Sequence, residues 1–335
     1  GRLPSFFNSY RSLWMAKKQY SYQKLRNGSF RHFIPNHYDL GYLLVGYGRE
    51  KYGNDLWTKV NNDALDFKKI VFPFQKAVKK YTGVEYKQFV NDAFNWYKEK
   101  MKVESQSFFG NMQPVTKAQK NNVSNYLYPF EEADGTVLVL KTAYRQVPTW
   151  VRIQANGYEE KLRVKDITED QYYSYRNGKV VYTAFATDAR WGWKTYSVLK
   201  IWNPAVNAVT RITSKTRLFQ PDLSPDLETV VAVNATTYQQ TNLQLIGVND
   251  STKTDLPNPE QYVYTYPKFS SNGTAVIAAV RNAKGEMTLL QTDLAGKEQQ
   301  LLFPFSNIVV GYVQVSGDTV PVSYTHLTLP TNREV

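Results

Sequence analysis

A sequence period of 46 residues constrains the fold of this chain more than any other feature. Ser224, Ser270 and Ser316 recur at this interval in the turn-forming contexts Ser-Pro-Asp, Ser-Ser-Asn-Gly and Ser-Gly-Asp. Short apolar or β-branched runs, which are typical of strands, follow turn residues at 136–140, 180–185, 230–233 and 275–280. A period in the forties with several short strands per unit indicates the blades of a β-propeller, because each blade buries its faces only against its neighbours.

Four units fit this period. A fifth begins at Val309, after units at 127–168, 170–215, 217–262 and 264–308. Pro129, Pro221 and Pro267 each open a unit, and they are separated by 92 and 46 residues. Propellers normally close with roughly four to eight blades. We therefore expect an incomplete β-propeller of about four blades over residues 126–321, with the closing blades absent from this chain.

The first 125 residues have helical periodicity instead. Asn36 is suited to cap a helix that has Asp39 at its third position and ends near Gly53. The buried stripe of that helix is predicted to be Leu40, Leu43, Leu44 and Tyr47. A second helix is predicted from Thr82 to Met101, since Thr82 and Glu85 form a capping-box pattern. Its buried stripe would be Tyr86, Phe89, Val90, Ala93 and Tyr97.

Shorter helices are predicted around residues 5–19, 55–65 and 74–81. The fold class predicted for the whole chain is α plus all-β and multidomain, with a helical module at residues 1–125 before the partial propeller.

The positive charge of the chain belongs to the helical module. Residues 1–125 contain 21 Lys and Arg against 9 Asp and Glu, which leaves 20 against 20 for the remainder. Clustered basic residues favour nucleic acid, but here they alternate with aromatic and apolar residues, as on solvated helix faces. We predict no nucleic-acid partner, although an anionic surface stays an alternative. No apolar run approaches the roughly 18 residues of a membrane span.

The last 14 residues are expected to be foreign to the fold. Residues 322–331 resemble one reading frame of a transposase-type sequencing adapter, so residues 322–335, with His326, are interpreted as an artefactual tail. Leu327 and Leu329 are then expected to remain unburied. Because the chain opens at Gly1 without an initiator methionine, we also expect it to be a piece of a larger protein.

Several segments resemble known bacterial families. Residues 221–226 (Pro-Asp-Leu-Ser-Pro-Asp) and 267–273 (Pro-Lys-Phe-Ser-Ser-Asn-Gly) resemble the repeats of Tol-type and WD40-like propellers. Residues 188–197 are similar to a loop of bacterial proteins that join such a propeller to a peptidase-like helical domain. Tyr38-Asp-Leu-Gly41, followed by residues 51–57, resembles the C-terminal part of a gluzincin (peptidase MA-like) domain. The resemblance implies a periplasmic or otherwise extracytoplasmic metallopeptidase-like protein.

The zinc motif of that family is absent from this chain. No His-Glu-x-x-His occurs, and outside the tail the histidines are His32 and His37. We therefore expect no cofactor and no hydrolysis in this piece, with zinc expected only in the parent protein. The resemblance implies that Tyr38 donates a hydrogen bond to the oxyanion of the tetrahedral intermediate. The alternative is an ordinary packed tyrosine.

A second candidate site is aromatic. Arg190, Trp191 and Trp193, with Tyr196, would form a platform for a peptide or a sugar ring if their loop is exposed. The alternative is that these rings wedge between blades. Asp222 and Asp226 are interpreted as turn formers, because aspartate bonds its own backbone two residues on.

Two functional hypotheses follow. In the first, the chain is an inactive fragment of a zinc-metallopeptidase-like protein whose propeller binds or gates a polypeptide. In the second, it is a non-enzymatic scaffold whose propeller holds a protein or glycan partner.

Overall fold

The computed structural model describes residues 5–66, 71–108, 115–117, 124–144, 146–236, 238, 240–317, 319–320 and 322–324. Within them the chain separates into two compact units, one built of helices and one of antiparallel sheets that begins at Ser124. The predicted fold class is confirmed: a helical module precedes a partial β-propeller.

The helical unit contains six helices among the described residues. They are α1 Ser5–Met15, α2 Tyr22–Asn27, α3 His37–Tyr52, α4 Leu56–Leu65, α5 Pro73–Thr82 and α6 Tyr86–Phe108. One core joins them, formed largely by apolar residues of α3 and α6. None of the described helices is long and apolar enough to cross a membrane.

Helix α3 begins and ends as its sequence predicts. The side chain of Asn36 accepts a hydrogen bond from Tyr38 N at 2.9 Å, which satisfies one of the free amides of the first turn. Gly53, at φ 102°, ends the helix with its amide donating to Arg49 O. The predicted stripe is buried: Leu40, Leu43, Leu44 and Tyr47.

The predicted start of the second long helix is wrong. Thr82 is the last residue of α5, and its hydroxyl donates to Val78 O at 2.7 Å. Gly83 adopts a left-handed conformation at φ 77° and ends α5, so α6 begins only at Tyr86. The Glu85 carboxylate accepts from Lys79 instead of reaching back to Thr82. The stripe itself is buried in α6 except for Tyr86, which is partly exposed.

The second unit contains four antiparallel sheets of four strands each, with the strands of every sheet adjacent in chain order. Sheet 1 contains β1 Ser124–Glu131, β2 Val137–Ala143, β3 Gln146–Ile153 and β4 Glu159–Val164. Sheet 2 contains β5 Tyr173–Arg176, β6 Lys179–Thr187, β7 Thr195–Asn203 and β8 Ala208–Arg211. Sheet 3 contains β9 Leu218–Leu223, β10 Thr229–Ala235, β11 Thr241–Gly247 and β12 Lys253–Asp255. Sheet 4 contains β13 Val263–Phe269, β14 Ala275–Arg281, β15 Met287–Asp293 and β16 Gln299–Leu301.

A further strand pair follows sheet 4. It consists of β17 Val310–Val313 and β18 Val322–Tyr324, which are antiparallel. The first three residues of the segment interpreted as a tail therefore pair with the preceding strand. Leu327 and Leu329, on which the packing prediction depends, lie outside the described residues, so that prediction stays untested.

The repeated serines close equivalent turns between the first and second strands of sheets 3 and 4. Ser224 N donates to Thr229 O at 2.8 Å, and the Ser224 hydroxyl accepts from Thr229 N at 2.9 Å. Ser270 makes the same two bonds with Ala275, at 2.8 and 3.0 Å. The period of 46 residues thus reflects one turn that is built repeatedly.

Neighbouring sheets pack face to face through apolar side chains. Between sheets 1 and 2 the indole rings of Trp150 and Trp202 stack with their centroids 5.0 Å apart, and both are fully buried. Burial of a large apolar side chain stabilises the fold by about 1.5–3 kcal/mol relative to exposure. Separate apolar clusters lie between the later sheets, as expected if each blade buries its faces against the next.

Candidate functional site

One carboxylate forms several hydrogen bonds within the hairpin that joins β6 to β7. Asp188 Oδ1 accepts hydrogen bonds from the backbone amides of Arg190 and Trp191, at 2.9 and 3.1 Å. Asp188 Oδ2 accepts from the hydroxyl of Tyr196 at 2.9 Å. These hydrogen bonds stabilise the ionised form and lower the pKa of Asp188. The Asp188 carboxylate therefore connects the loop backbone to the first residues of β7.

The tip of this hairpin presents two indole rings to solvent. Trp191 is 51% exposed and Trp193 is 87% exposed. The Arg190 guanidinium lies 5.3 Å from the centroid of the Trp191 ring. The alternative that Trp191 and Trp193 pack between blades is wrong, because both rings are exposed. The tryptophans that do pack between sheets 1 and 2 are Trp150 and Trp202. Binding by Arg190, Trp191 and Trp193 stays a prediction, but their exposure meets its condition.

The equivalent hairpins of sheets 1 and 3 carry exposed aromatic residues as well. Tyr144, between β2 and β3, is 52% exposed, and Tyr238, between β10 and β11, is 88% exposed. Each of these hairpins joins the second strand of its sheet to the third, so all of them lie on the same face of the propeller. We call Tyr144, Trp191, Trp193 and Tyr238 the aromatic arc.

Sequence reasoning missed half of the aromatic arc. Tyr144, Trp191 and Tyr238 are separated by 47 and 47 residues, so the repeat itself contained the signal. The corresponding hairpin of sheet 4, residues 282–286, reads Asn-Ala-Lys-Gly-Glu and has no aromatic residue.

Asp222 lies at the centre of a buried polar network that joins sheets 2, 3 and 4. Its Oδ1 accepts hydrogen bonds from Lys268 Nζ at 3.1 Å and from the hydroxyl of Ser174. Its Oδ2 accepts from Phe269 N at 2.9 Å and lies 3.5 Å from Arg176 Nη2. Asp222 and Lys268 are 0% and 2% exposed, so the pair is removed from water. Burial lowers the pKa of Lys268, and Asp222 opposes that shift.

The interpretation of Asp222 as a turn former is wrong, whereas that of Asp226 is confirmed. Asp226 accepts hydrogen bonds from the hydroxyl of Ser224 and from Glu228 N, as a turn aspartate does. The signal for Asp222 was its place in the repeat: Arg176, Asp222 and Lys268 occur at intervals of 46 residues.

Four tyrosine rings converge beside this network. Tyr128 and Tyr266 belong to sheets 1 and 4, Tyr312 belongs to the following strand pair, and Tyr172 directly precedes β5 of sheet 2. The ring centroid of Tyr172 lies 5.2, 5.5 and 5.8 Å from those of Tyr128, Tyr266 and Tyr312. Tyr128 and Tyr312 are 5.4 Å apart. Among the described residues, the region where the first strands meet is thus packed with aromatic rings.

The candidate residues of the helical unit lie on its surface. Tyr38 is in the first turn of α3 and is 70% exposed, with its ring centroid 4.2 Å from that of His37. His32 Nδ1 lies 3.1 Å from Lys24 Nζ, and partial burial and the Lys24 charge lower the pKa of His32. The catalytic role of Tyr38 stays a prediction. Among the described residues, no group of three or more His, Cys, Asp or Glu side chains is placed to hold a metal ion.

Neither a protein-family model nor a curated protein matches this chain. Solved structures do match at low identity. A TolB, described as putative, from Agrobacterium tumefaciens is 14% identical over 51% of this chain, with a TM-score of 0.40. TolB from Acinetobacter baumannii is 13% identical over 60% of this chain, with a TM-score of 0.44.

An oligogalacturonate lyase in complex with manganese is 15% identical over 61% of this chain, with a TM-score of 0.46. At such identities the likeness concerns the fold alone. The chain spans 62%, 51% and 58% of the lengths of these three structures.

Proposed function

We propose that the sheet unit is a binding module that takes a polypeptide partner across the aromatic arc. The observation that carries this proposal is the position of the exposed aromatic residues. Three consecutive sheets present tyrosine or tryptophan, 51–88% exposed, at the same hairpin of one face.

Aromatic residues at such exposed positions contribute more to an interface with a partner than to the folding of the unit. Exposed indole and phenol rings contribute little to the core of the unit, whereas buried in an interface they supply large contact areas with few rotatable bonds. Arg190 and Lys194, beside the rings of Trp191 and Tyr196, add donors for backbone carbonyls or carboxylates of a bound chain. The four tyrosine rings fill the region where the first strands of the blades meet. They therefore favour binding of the polypeptide on the hairpin face over its passage between the blades.

The test is binding of the full chain to arrayed synthetic peptides, with a glycan array in parallel. Peptides that bind wild type are expected to lose at least about tenfold in affinity to the Trp191→Ala/Trp193→Ala variant, since tryptophan hot spots contribute about 2 kcal/mol or more. Tyr158→Ala is the matched control. Tyr158 is 58% exposed and lies in the β3–β4 hairpin, at the opposite end of sheet 1.

Binding of glycans alone would favour the scaffold with a glycan partner. An unchanged peptide affinity in the Trp191→Ala/Trp193→Ala variant would contradict the proposal. So would an equal loss of affinity in the Tyr158→Ala variant.

The finer proposal is that this module serves an extracytoplasmic, zinc-metallopeptidase-like protein. It is supported by the resemblance of Tyr38-Asp-Leu-Gly41 and residues 51–57 to the gluzincin pattern. In a longer protein with a His-Glu-x-x-His helix, Tyr38→Phe should lower turnover by about a hundredfold or more and leave the zinc content unchanged, because one oxyanion donor is lost. An unchanged turnover would remove Tyr38 from the mechanism.

A further inference from the structure

The helical unit contains a cavity of about 690 Å³ between α1, α2 and the first half of α6. A second cavity of about 480 Å³ lies beside it and shares Trp14, Lys18, Gln19 and Lys98 with it. Ligand sites in proteins usually have volumes of roughly 300–1,000 Å³. The first cavity is therefore large enough for a small organic molecule.

The floor of this cavity is aromatic. Tyr10 and Trp14 lie one helical turn apart on α1, with ring centroids 5.8 Å apart. Phe94 of α6 contacts both rings, at centroid distances of 5.7 and 5.8 Å. These three rings meet at tilted or edge-on angles, an arrangement in which a further flat ring packs favourably.

The rim of the cavity is positively charged. Its described lining includes Lys18, Lys87 and Lys98 and contains no aspartate or glutamate. Lys98 Nζ lies 5.8 Å from the centroid of the Trp14 ring, so a cation stands directly beside the aromatic floor. This charge agrees with the excess of 21 basic over 9 acidic residues in residues 1–125. A ligand that is flat on one side and anionic on the other matches both features.

One buried donor in the lining lacks a partner. The hydroxyl of Tyr10 is buried and forms no hydrogen bond within the part of the chain that the structure describes. Burial, together with the charge of Asp39, raises the pKa of Tyr10, which keeps the hydroxyl protonated. Because this hydroxyl is buried from the cavity as well as from solvent, Tyr10 supports the aromatic floor and is not itself a contact for a ligand.

We propose that this cavity binds a small anion with a flat aromatic body, of the class of aryl phosphates and aromatic carboxylates. The ring would pack on Trp14 and Phe94, and the anionic group would lie among the lysines. This site is in the helical unit and is independent of the peptide-binding function proposed for the sheet unit.

Isothermal titration of the full chain with phenyl phosphate and with indole-3-carboxylate tests the proposal. Both anions are expected to bind at least about tenfold more tightly than the neutral indole-3-carboxamide, and phenyl phosphate about tenfold more tightly than inorganic phosphate, because charge and ring both contribute. Lys98→Gln should weaken binding of both anions about tenfold.

Lys79→Gln is the control for general attraction to a basic protein. Lys79 belongs to the same unit but is exposed and paired with Glu85, so this variant should bind like wild type. Three results would each overturn the proposal: no binding at millimolar concentration, equal affinity for the anion and the amide, or equal weakening by Lys79→Gln and Lys98→Gln. Inorganic phosphate that binds as tightly as phenyl phosphate would refute the aromatic half of the site.

Discussion

Replacing Asp222 by asparagine should destabilise the sheet unit strongly. The carboxylate is fully buried and serves Lys268 Nζ, the Ser174 hydroxyl and the Phe269 amide at once, with Arg176 at 3.5 Å. Asparagine keeps the shape but leaves the Lys268 amine in a low-dielectric site without an anion. Breaking a buried pair on one side costs about 3–5 kcal/mol.

This cost can be separated from a simple packing defect by a double variant. Asp222→Asn/Lys268→Met removes the fully buried amine together with its anion and leaves only the partly exposed Arg176 without a carboxylate, so it should be more stable than Asp222→Asn alone by about 2 kcal/mol or more. For a unit of this size, a loss of 3–5 kcal/mol lowers the midpoint of thermal unfolding by roughly 6–20 °C. Hydrogen–deuterium exchange of peptides from β10 and β14 reports the opening of the sheet unit separately from the helices.

The control is an exposed ion pair of the helical unit. Lys59 Nζ and Asp55 Oδ2 are 2.6 Å apart, with both side chains more than half exposed, so Asp55→Asn should leave exchange of β10 and β14 unchanged. A destabilisation by Asp222→Asn of less than about 1 kcal/mol, or a double variant less stable than the single one, would refute the reasoning.

Two further predictions concern pH and backbone geometry. Burial lowers the pKa of Lys165 to about 8 from 10.5. The unfolded chain therefore binds more protons than the folded chain between these pH values, and the free energy of unfolding should rise by up to about 3 kcal/mol as pH increases through that window. Urea unfolding of Lys165→Met should not show this rise. An identical pH profile for the variant and wild type would refute the prediction. Gly296 has φ 68°, and an added Cβ would lie 2.2 Å from Pro257 Cδ. Gly296→Ala should thus lower the thermal midpoint more than Gly285→Ala, since Gly285 has φ 85° but open space; equal midpoints would contradict the clash.

Features that depend on short-range order could be predicted from the sequence. Asn36 and Gly53 delimit α3 because a side-chain oxygen and a glycine satisfy the ends of a helix through residues two to four positions away. The serine turns were visible for the same reason: Ser270 bonds a residue only five positions on. Each signal depends on groups that are close in the chain as well as in space.

Features that depend on distant residues were missed or misread. Thr82 and Glu85 formed a capping-box pattern, but Gly83 between them ends the preceding helix, and the stronger local constraint prevails. Asp222 occurs in a turn-like context, yet its partners Ser174 and Lys268 are 48 and 46 residues away. Their proximity arises only when three blades assemble around the inner strands, which no local pattern encodes.

The repeat also separates residues whose recurrence the fold explains from residues whose recurrence it does not explain. Equivalent positions of successive blades have equivalent environments, so a polar residue at an inner position or an aromatic residue at a hairpin tip needs a reason of its own. Arg176, Asp222 and Lys268 satisfy each other inside the unit, and their recurrence is explained by stability. Tyr144, Trp191 and Tyr238 recur at an exposed position, and sheet 4 folds with a hairpin that lacks such a residue. The hairpin of sheet 4 therefore forms without an aromatic side chain, and the proposed partner contact rests on the recurrence of such a side chain in the other three sheets.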